Sequence, residues 1–212
     1  MNSDEKQPST PAWLMEYTSN AAETFVTAYY AAADSPQRSQ LLPSLYLSNS
    51  SIAWNGNPIS GSIQFAQLLD AQPGTQHEIQ SFDCHPLGPA GDQDHREAPS
   101  LLLVVSGTVA HYTPESLAKT ENSAPKSASA PAGAATSKRK FDADAPLSTH
   151  PRVFSQSFVL VSGARSGAEG GVPFVWTPNR PASKNKGSST DTRASKTVAR
   201  YFIQADALRF VG

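Results

Sequence analysis

The spacing of hydrophobic residues changes once along the chain, after about residue 69. Before that point, apolar side chains recur every three or four residues, which is typical of helices with one buried face. Asn20 followed by Glu23 has the pattern of a helix start. The stripe behind it consists of Ala22, Phe25, Val26, Tyr29, Tyr30 and Ala33. We therefore predict a first helix that begins near Asn20 and ends at Asp34.

Two shorter helices are predicted to follow the first. Ser35 and Pro36 predict the start of the second, because proline at the first helical position has no N–H to leave unpaired. Pro43 indicates a kink or a break into a short 3₁₀ segment. Apolar positions between Ile63 and Leu69 predict the third helix.

After residue 69, apolar and polar residues alternate, which predicts strands rich in β-branched and aromatic side chains. The four long candidates span residues 77–87, 100–112, 152–163 and 199–212. Helices followed by a meander of strands predict an α+β fold in which the helices cover one face of an antiparallel sheet. The other face carries many apolar groups, so we expect it to bind a partner.

The stretch "IAWNGNP" (residues 52–58) is predicted to be a tight turn between strands. Asn-Gly is favoured where two successive residues need positive φ, and Pro58 removes a ladder donor just beyond. We interpret this stretch as a structural turn rather than a catalytic loop.

Composition divides the chain into one folded domain, residues 15–212, with a flexible N-terminus at 1–14 and long disordered inserts at 113–150 and 164–197. These inserts have too little apolar surface to offset the entropy of ordering. The formal net charge is −1, so no global field steers the chain to nucleic acid. No apolar run reaches the roughly 20 residues of a membrane span, so no membrane contact is expected.

Cys84 is the single cysteine and the five histidines lack metal-type spacing, so neither a metal nor a cofactor is expected. An isomerase or dehydratase would need a buried carboxylate or histidine with a facing donor. The candidates for that role are Tyr29, Tyr30, Asp83, His85, His111 and Asp206. Since large aromatic residues are expected to fill the interior, we predict no catalytic residue and keep an enzyme as an alternative.

Several segments together resemble one family. "LYLSNSSIAWNGNPISG" (45–61) looks like the helix-strand-turn signature of the small subunit of the general mRNA export receptor. The segments "FVTAYYAAAD", "SFDCHPL", "LLLVVSGTV", "FSQSFVLV" and "ADALRF" agree with that family in the same order. The chain thus resembles the nuclear transport factor 2-like superfamily, in its fungal mRNA transport regulator form.

This resemblance implies a cone-shaped fold, with helices on a strongly curved antiparallel sheet. It implies a non-catalytic adaptor that forms a heterodimer with the large export-receptor subunit through the open sheet face. It also implies contacts with phenylalanine-glycine nucleoporins, and shuttling between nucleus, nuclear pore and cytoplasm. In relatives, an arginine of the terminal strand pairs with an acidic residue of the partner, and that position is Arg209 here. Strict alternation places Ala205, Ala207 and Val211 on the same face as Arg209.

The second insert is the candidate for nucleic-acid contact. Its cations are Arg180, Lys184, Lys186, Arg193 and Lys196. They are suited to phosphate contacts without sequence selectivity, on RNA or on pre-ribosomal particles. A homodimeric import carrier of the same superfamily, bound to a small GTPase, stays open as an alternative; it would need an acidic rim that the sequence does not identify.

Overall fold

The computed structural model describes residues 11–88, 98–112, 150–163, 170–176 and 197–211. Three helices lie at the N-terminal end: α1 (Ala12–Ala33), α2 (Arg38–Leu41) and α3 (Gly61–Ala71). A 3₁₀ turn (Leu42–Leu45) contains Pro43, as predicted from the sequence. The strands are β1 (Tyr46–Trp54), β2 (Asn57–Ile59), β3 (Gly74–Leu87), β4 (Ser100–Tyr112), β5 (Arg152–Gly163), β6 (Val172–Trp176) and β7 (Thr197–Val211).

The first helix begins earlier than predicted, at Ala12 rather than near Asn20. Leu14 and Thr18 are buried and extend the apolar face by two turns, so the predicted flexible segment 1–14 overlaps the helix. Hydroxyl groups in this stretch bond backward within the helix, as when Thr18 donates to the carbonyl of Leu14 at 2.6 Å. Asn20 therefore lies inside a continuous helix and does not cap one.

The second helix, in contrast to the first, begins later than predicted. Ser35 and Pro36 lie in a turn, where the Ser35 hydroxyl accepts the backbone N–H of Gln37 at 3.1 Å. The helix itself starts at Arg38, whose guanidinium donates to the carbonyls of Leu69 and Pro73. Cations are favourable at helix C-termini, so this contact fastens α2 to the end of α3.

The strands form one sheet in the order β2-β1-β7-β5-β4-β3, and β6 pairs with the first part of β7. Every pairing is antiparallel except β1 with β7, which is parallel. The predicted long strands agree with β3, β4, β5 and β7 to within about three residues at each end. The predicted α+β fold, with helices packed on one face of the sheet, is confirmed.

One strand lies where the sequence predicts only an insert. Residues 172–176 form β6, in register with β7 from Val172 opposite Tyr201 to Trp176 opposite Thr197. The interpretation of 164–197 as one uninterrupted insert therefore fails at these five positions, because a short run of apolar residues is enough to pair when a neighbouring edge is available. Apart from β6, the described residues of the two predicted inserts are His150, Gly170, Gly171 and Thr197.

The core lies between α1 and the inner face of the sheet. Phe25 packs edge-on against Phe158, with ring centroids 5.3 Å apart, and both side chains are fully buried. Phe65 of α3 packs against Tyr46 and Trp54 of β1 at 5.0 and 5.9 Å. Each fully buried aromatic ring of this kind stabilises the fold by roughly 1.5–3 kcal/mol. This packing fixes the helices to one face and leaves the other face open.

The predicted turn at Asn55 and Gly56 is confirmed. Their φ angles are +49° and +86°, so both residues are in the left-handed region, as a two-residue hairpin turn between β1 and β2 requires. Asn55 donates its backbone N–H to the carbonyl of Leu208 at 2.8 Å and accepts that of Phe210 through Oδ1 at 3.3 Å. The turn is therefore attached to the end of β7.

Candidate partner-binding face and buried polar cluster

The open face of the sheet is defined by the outward-pointing residues of β3, β4, β5 and β7. On β7, Ala207, Arg209 and Val211 are exposed. Leu208, which lies between Ala207 and Arg209, is buried. A bulge in the β5–β7 pairing lies between residues 203 and 205. The alternation is therefore regular from Ala205 onward. Ala205, Ala207, Arg209 and Val211 share one face, as the sequence predicts.

Cross-strand neighbours show what surrounds these residues. Arg209 lies opposite Ser155, which lies opposite Ser106 and then Ser81 of β3. The adjacent rows carry apolar side chains that remain exposed: Val104 at 38%, Val153 at 46% and Val211 at 58%. A charged group thus sits among small polar and exposed apolar side chains, which is the composition of a protein interface.

Among the described residues, the guanidinium of Arg209 has no carboxylate within ion-pair distance, since the one ion pair there joins Asp34 and His77. Asp83, a catalytic candidate from the sequence, lies on the open face and is exposed, as is His85 one row farther along β3. Neither belongs to the buried cluster described below.

The inner face holds a buried carboxylate. Asp206 is 3% exposed and accepts hydrogen bonds from Tyr46 at 2.6 Å and from Gln156 at 2.8 and 3.0 Å. Tyr29 lies 3.5 Å from the same carboxylate, and Tyr30 donates to Oε1 of Gln156 at 3.0 Å. Burial raises the pKa of Asp206 to about 6, although the hydrogen bonds from Tyr46, Gln156 and Tyr29 lower it. We call these five residues the Asp206 cluster.

The structure thus brings together three of the predicted catalytic candidates, Tyr29, Tyr30 and Asp206. Sequence reasoning missed Tyr46 and Gln156, although Gln156 has the same parity in β5 as the buried Phe154 and Phe158. Burial raises the pKa values of the three tyrosines far above the ordinary range, so their hydroxyls stay protonated donors. A network in which each acceptor meets a donor links α1, β1, β5 and β7.

A pocket beside the cluster is small and mostly apolar. Its cavity volume is about 30 Å³, and Tyr29, Gln156, His77, His111 and Trp54 are among its lining residues. That volume holds roughly two water molecules. Burial lowers the pKa of His111, assisted by the charges of His77, Arg152 and Arg38, so its neutral form is favoured. The arrangement places proton-transfer groups beside a cavity of about two water volumes.

Sequence reasoning also missed a pair at the rim of this pocket. Asp34, at the end of α1, accepts the backbone N–H of His77 at 2.8 Å and lies 2.6 Å from its Nδ1. The His77 ring packs against Tyr30 and Phe154, with centroids 5.0 and 5.4 Å away. The pair fixes the end of α1 to the start of β3.

Other predicted sites have simple outcomes. The proposed RNA-contacting residues Arg180, Lys184, Lys186, Arg193 and Lys196 lie outside the described residues. Within the described ranges, no three His, Cys, Asp or Glu side chains are grouped as a metal would need. Burial raises the pKa of Cys84 to about 12, which keeps the thiol protonated. No helix in the described part of the chain is long and apolar enough to cross a membrane.

Comparison with known proteins identifies relatives. Residues 16–93 match the family model described as nuclear pore RNA shuttling protein Mtr2. The chain is 34% identical over 89 residues to NTF2-related export protein 1 of Bos taurus, covering 42% of this chain and 60% of that protein. It is 36% identical over 92 residues to NTF2-related export protein of Caenorhabditis elegans, covering 42% and 63%. The chain thus spans about three fifths of these relatives' length.

Solved structures share the fold. A chain of the complex described as Sac3N peptide bound to Mex67:Mtr2 aligns with a TM-score of 0.52 at 16% identity, covering 92% of this chain and 99% of that one. A Novosphingobium aromaticivorans protein described as a scytalone dehydratase aligns with a TM-score of 0.51 at 9% identity, covering 95% and 89%. Identities this low show the fold alone. The chain therefore has the fold of nuclear transport factor 2-like proteins, and its residues 16–93 are similar to the Mtr2 family.

Proposed function

We propose that this protein is a non-catalytic adaptor that binds the large subunit of the mRNA export receptor and helps to carry mRNA through nuclear pores. The observation that carries the proposal is the open face, where Arg209 has no carboxylate partner among the described residues and exposed apolar side chains lie in the adjacent rows of the sheet. The relatedness to Mtr2 and to NTF2-related export proteins supports the choice of partner. In the complex that shares the fold, Mtr2 is assembled with Mex67.

Arg209 is proposed as the central polar contact of this interface. A guanidinium that a partner carboxylate meets bidentately, with apolar side chains excluding water around it, is a typical hot spot. Val211 and Val153 lie opposite each other on adjacent strands and supply exposed apolar surface beside it. The small side chains of Ala205 and Ala207 allow a second sheet to approach closely.

A co-purification experiment tests the proposal. Tagged large subunit should retain the wild-type chain, retain Arg209→Ala less well, and retain Arg209→Glu least, because glutamate adds repulsion to the loss of the pair. Arg152→Glu is the matched control. That arginine is also exposed, but its guanidinium lies over the Phe210 ring, 4.6 Å from the centroid, on the inner side of β7. Equal retention of both Arg209 variants and wild type would refute the interface.

Size-exclusion chromatography of the purified chain, with and without the large subunit, separates the alternatives. A homodimeric import carrier would elute at twice the chain mass without the large subunit and would bind a small GTPase. An enzyme of this fold would need a substrate-sized cavity, whereas the described pocket has about 30 Å³. In the proposed role, the protein shuttles between nucleus and cytoplasm, and the complex contacts phenylalanine-glycine nucleoporins. Contact with RNA or pre-ribosomal particles through the second insert is also part of the proposal.

A further inference from the structure

The Asn55-Gly56 turn has a close relationship with Arg209. A Cβ atom at Gly56 would lie 3.4 Å from Nη1 of Arg209 and 3.9 Å from both Cζ and Nη2. Three atoms of the guanidinium are thus nearly equidistant from one point above Gly56. The flat face of the guanidinium is therefore turned toward Gly56. It occupies the space that a side chain longer than alanine would need at position 56.

The backbone holds this arrangement in place. Asn55 bonds to the carbonyl of Leu208 and to the N–H of Phe210, the two residues that flank Arg209. The turn is therefore in fixed register with the arginine. Gly56 itself needs positive φ, at +86°, which glycine, asparagine and aspartate tolerate best.

Gly56 is exposed, as is Arg209, so the turn lies at the border of the open face. The guanidinium lies beside a turn that is held in fixed register with β7, so it loses part of its conformational freedom before a partner arrives. It still keeps its N–H donors free, because among the described residues no carboxylate pairs with it. Pre-organisation of this kind reduces the entropy lost on binding.

We infer that Gly56 is a positioning residue for the partner interface: because it has no side chain, it leaves space for the guanidinium of Arg209, whose charge stays available to a carboxylate of the partner. This inference rests on the proposed function. It adds that the "WNG" turn, which the sequence shows only as a structural turn, determines how tightly the acidic partner group is bound.

Two substitutions of Gly56 test the inference, and the residues that they introduce, asparagine and aspartate, are nearly isosteric with each other. Gly56→Asn tolerates the positive φ but extends its amide into the space of the guanidinium, so affinity for the large subunit should fall roughly two- to tenfold. Gly56→Asp has the same shape and supplies an internal carboxylate that competes for Arg209. It should bind roughly two- to fivefold more weakly than Gly56→Asn. Calorimetric titration of the purified large subunit measures both values.

Each variant is also combined with Arg209→Ala. If Gly56 acts through the arginine, both substitutions should lose most of their effect in that background. Gly61→Asn controls for backbone strain, because Gly61 also has positive φ, at +75°, but nothing lies within 4 Å of its Cβ position. It should leave affinity unchanged. Equal losses with and without Arg209 would overturn the inference while leaving the heterodimer intact.

A second readout does not need the partner. In the free protein, relaxation of the Arg209 Nε–Hε resonance should show a restricted guanidinium in wild type and in Gly61→Asn, and a more mobile one in Gly56→Asn. A guanidinium equally mobile in all three would overturn the inference by itself. A wild-type chain that ignores the large subunit but has a restricted Arg209 would instead refute the proposed function, together with the role in binding.

Discussion

The hydroxyl of Tyr46 donates a 2.6 Å hydrogen bond to the buried carboxylate of Asp206. The two residues are 160 positions apart in sequence, one at the start of β1 and the other near the end of β7. Within the described part of the chain, the hydrogen-bond donors to Asp206 are tyrosines and the Gln156 amide, and none of them is a cation. Neutral donors only partly compensate the cost of burying a charge, which is why the pKa of this carboxyl is raised.

The first prediction concerns pH and Asp206. Its pKa is raised from 3.8 to about 6, so the folded state holds its proton more tightly than the unfolded chain does. Below about pH 4, the carboxyl is protonated in both states. Between about pH 4 and 6, only the unfolded chain releases the proton, so this contribution to stability falls as pH rises, by about 3 kcal/mol in total. Above pH 6 it is constant.

Urea unfolding of wild type and Asp206→Asn at several pH values between 4 and 8 checks this prediction. The difference in unfolding free energy between the two proteins reports on the Asp206 carboxyl alone, because every other titratable group is present in both proteins. Wild type should lose stability relative to the variant as pH rises from 4 to 6. A difference that is independent of pH would show that Asp206 titrates normally.

The second prediction concerns Tyr46→Phe, which removes the shortest hydrogen bond to Asp206. At pH 7.5 the carboxylate is charged, and the loss should cost roughly 1.5–3 kcal/mol of unfolding free energy. The cost should shrink at pH 4.5, because the protonated carboxyl needs this donor less. Tyr17→Phe is the control: Tyr17 donates to the Tyr201 hydroxyl at 3.3 Å, so its effect should be the same at both pH values.

The sequence predicted the strands of this fold well, for a physical reason. Alternation with a period of two is a local property, and the strand starting at Ser100 begins and ends where the pattern does. The pairing of β1 with β7 is not local. Nothing in the pattern of Tyr46–Trp54 tells which strand lies beside it, or that the pairing is parallel.

The candidate site was predicted unevenly, for the same reason. Alternation alone placed Arg209 and Val211 on the open face. Asp206 was recognised as a candidate, but its partners come from three other elements, so only the folded register joins them. The position of the Arg209 guanidinium beside Gly56 depends on how the turn attaches to β7, and no spacing in the sequence reports that.

The third prediction concerns Gly107, in the middle of β4. A Cβ atom there would lie 2.3 Å from the carbonyl oxygen of Glu78 and 3.1 Å from Cα of Ile79. Both neighbours are backbone atoms, next to the irregular pairing between Ile79 and Ser81, so they cannot turn away as a side chain can. Gly107→Ala should therefore destabilise the fold by about 1–3 kcal/mol. Thermal unfolding measures the loss.

A matched substitution sharpens the third prediction. Ser106→Ala in the same strand adds no atom and removes only a half-exposed hydroxyl that pairs with Ser81 at 2.8 Å. It should change the unfolding free energy by less than about 0.5 kcal/mol. If both variants unfolded at the wild-type temperature, the close approach of β3 to Gly107 would be wrong.

The fourth prediction concerns Asp34→Asn. Asp34 accepts the His77 backbone N–H and lies within hydrogen-bond distance of its ring nitrogen, so it ties α1 to β3 at two points. Asparagine can keep one acceptor but loses the charge, which should cost roughly 1–2 kcal/mol. Hydrogen exchange of the His77 amide should accelerate more than that of a central residue such as Phe158, whose exchange follows only the loss of global stability. Unchanged exchange at His77 would show that the pair has no structural role.

The last prediction concerns RNA and the second insert. Deleting residues 179–196 removes Arg180, Lys184, Lys186, Arg193 and Lys196. If these five cations contact single-stranded phosphates, the slope of log affinity against log salt should fall by up to about 3.5. Replacing the segment with an uncharged Gly-Ser sequence of equal length should have the same effect, because the proposed interaction depends on charge rather than on length. Binding of the large subunit should be retained, since the open face lies on the sheet. Crosslinking and salt slope equal to wild type in both variants would exclude this insert as an RNA contact.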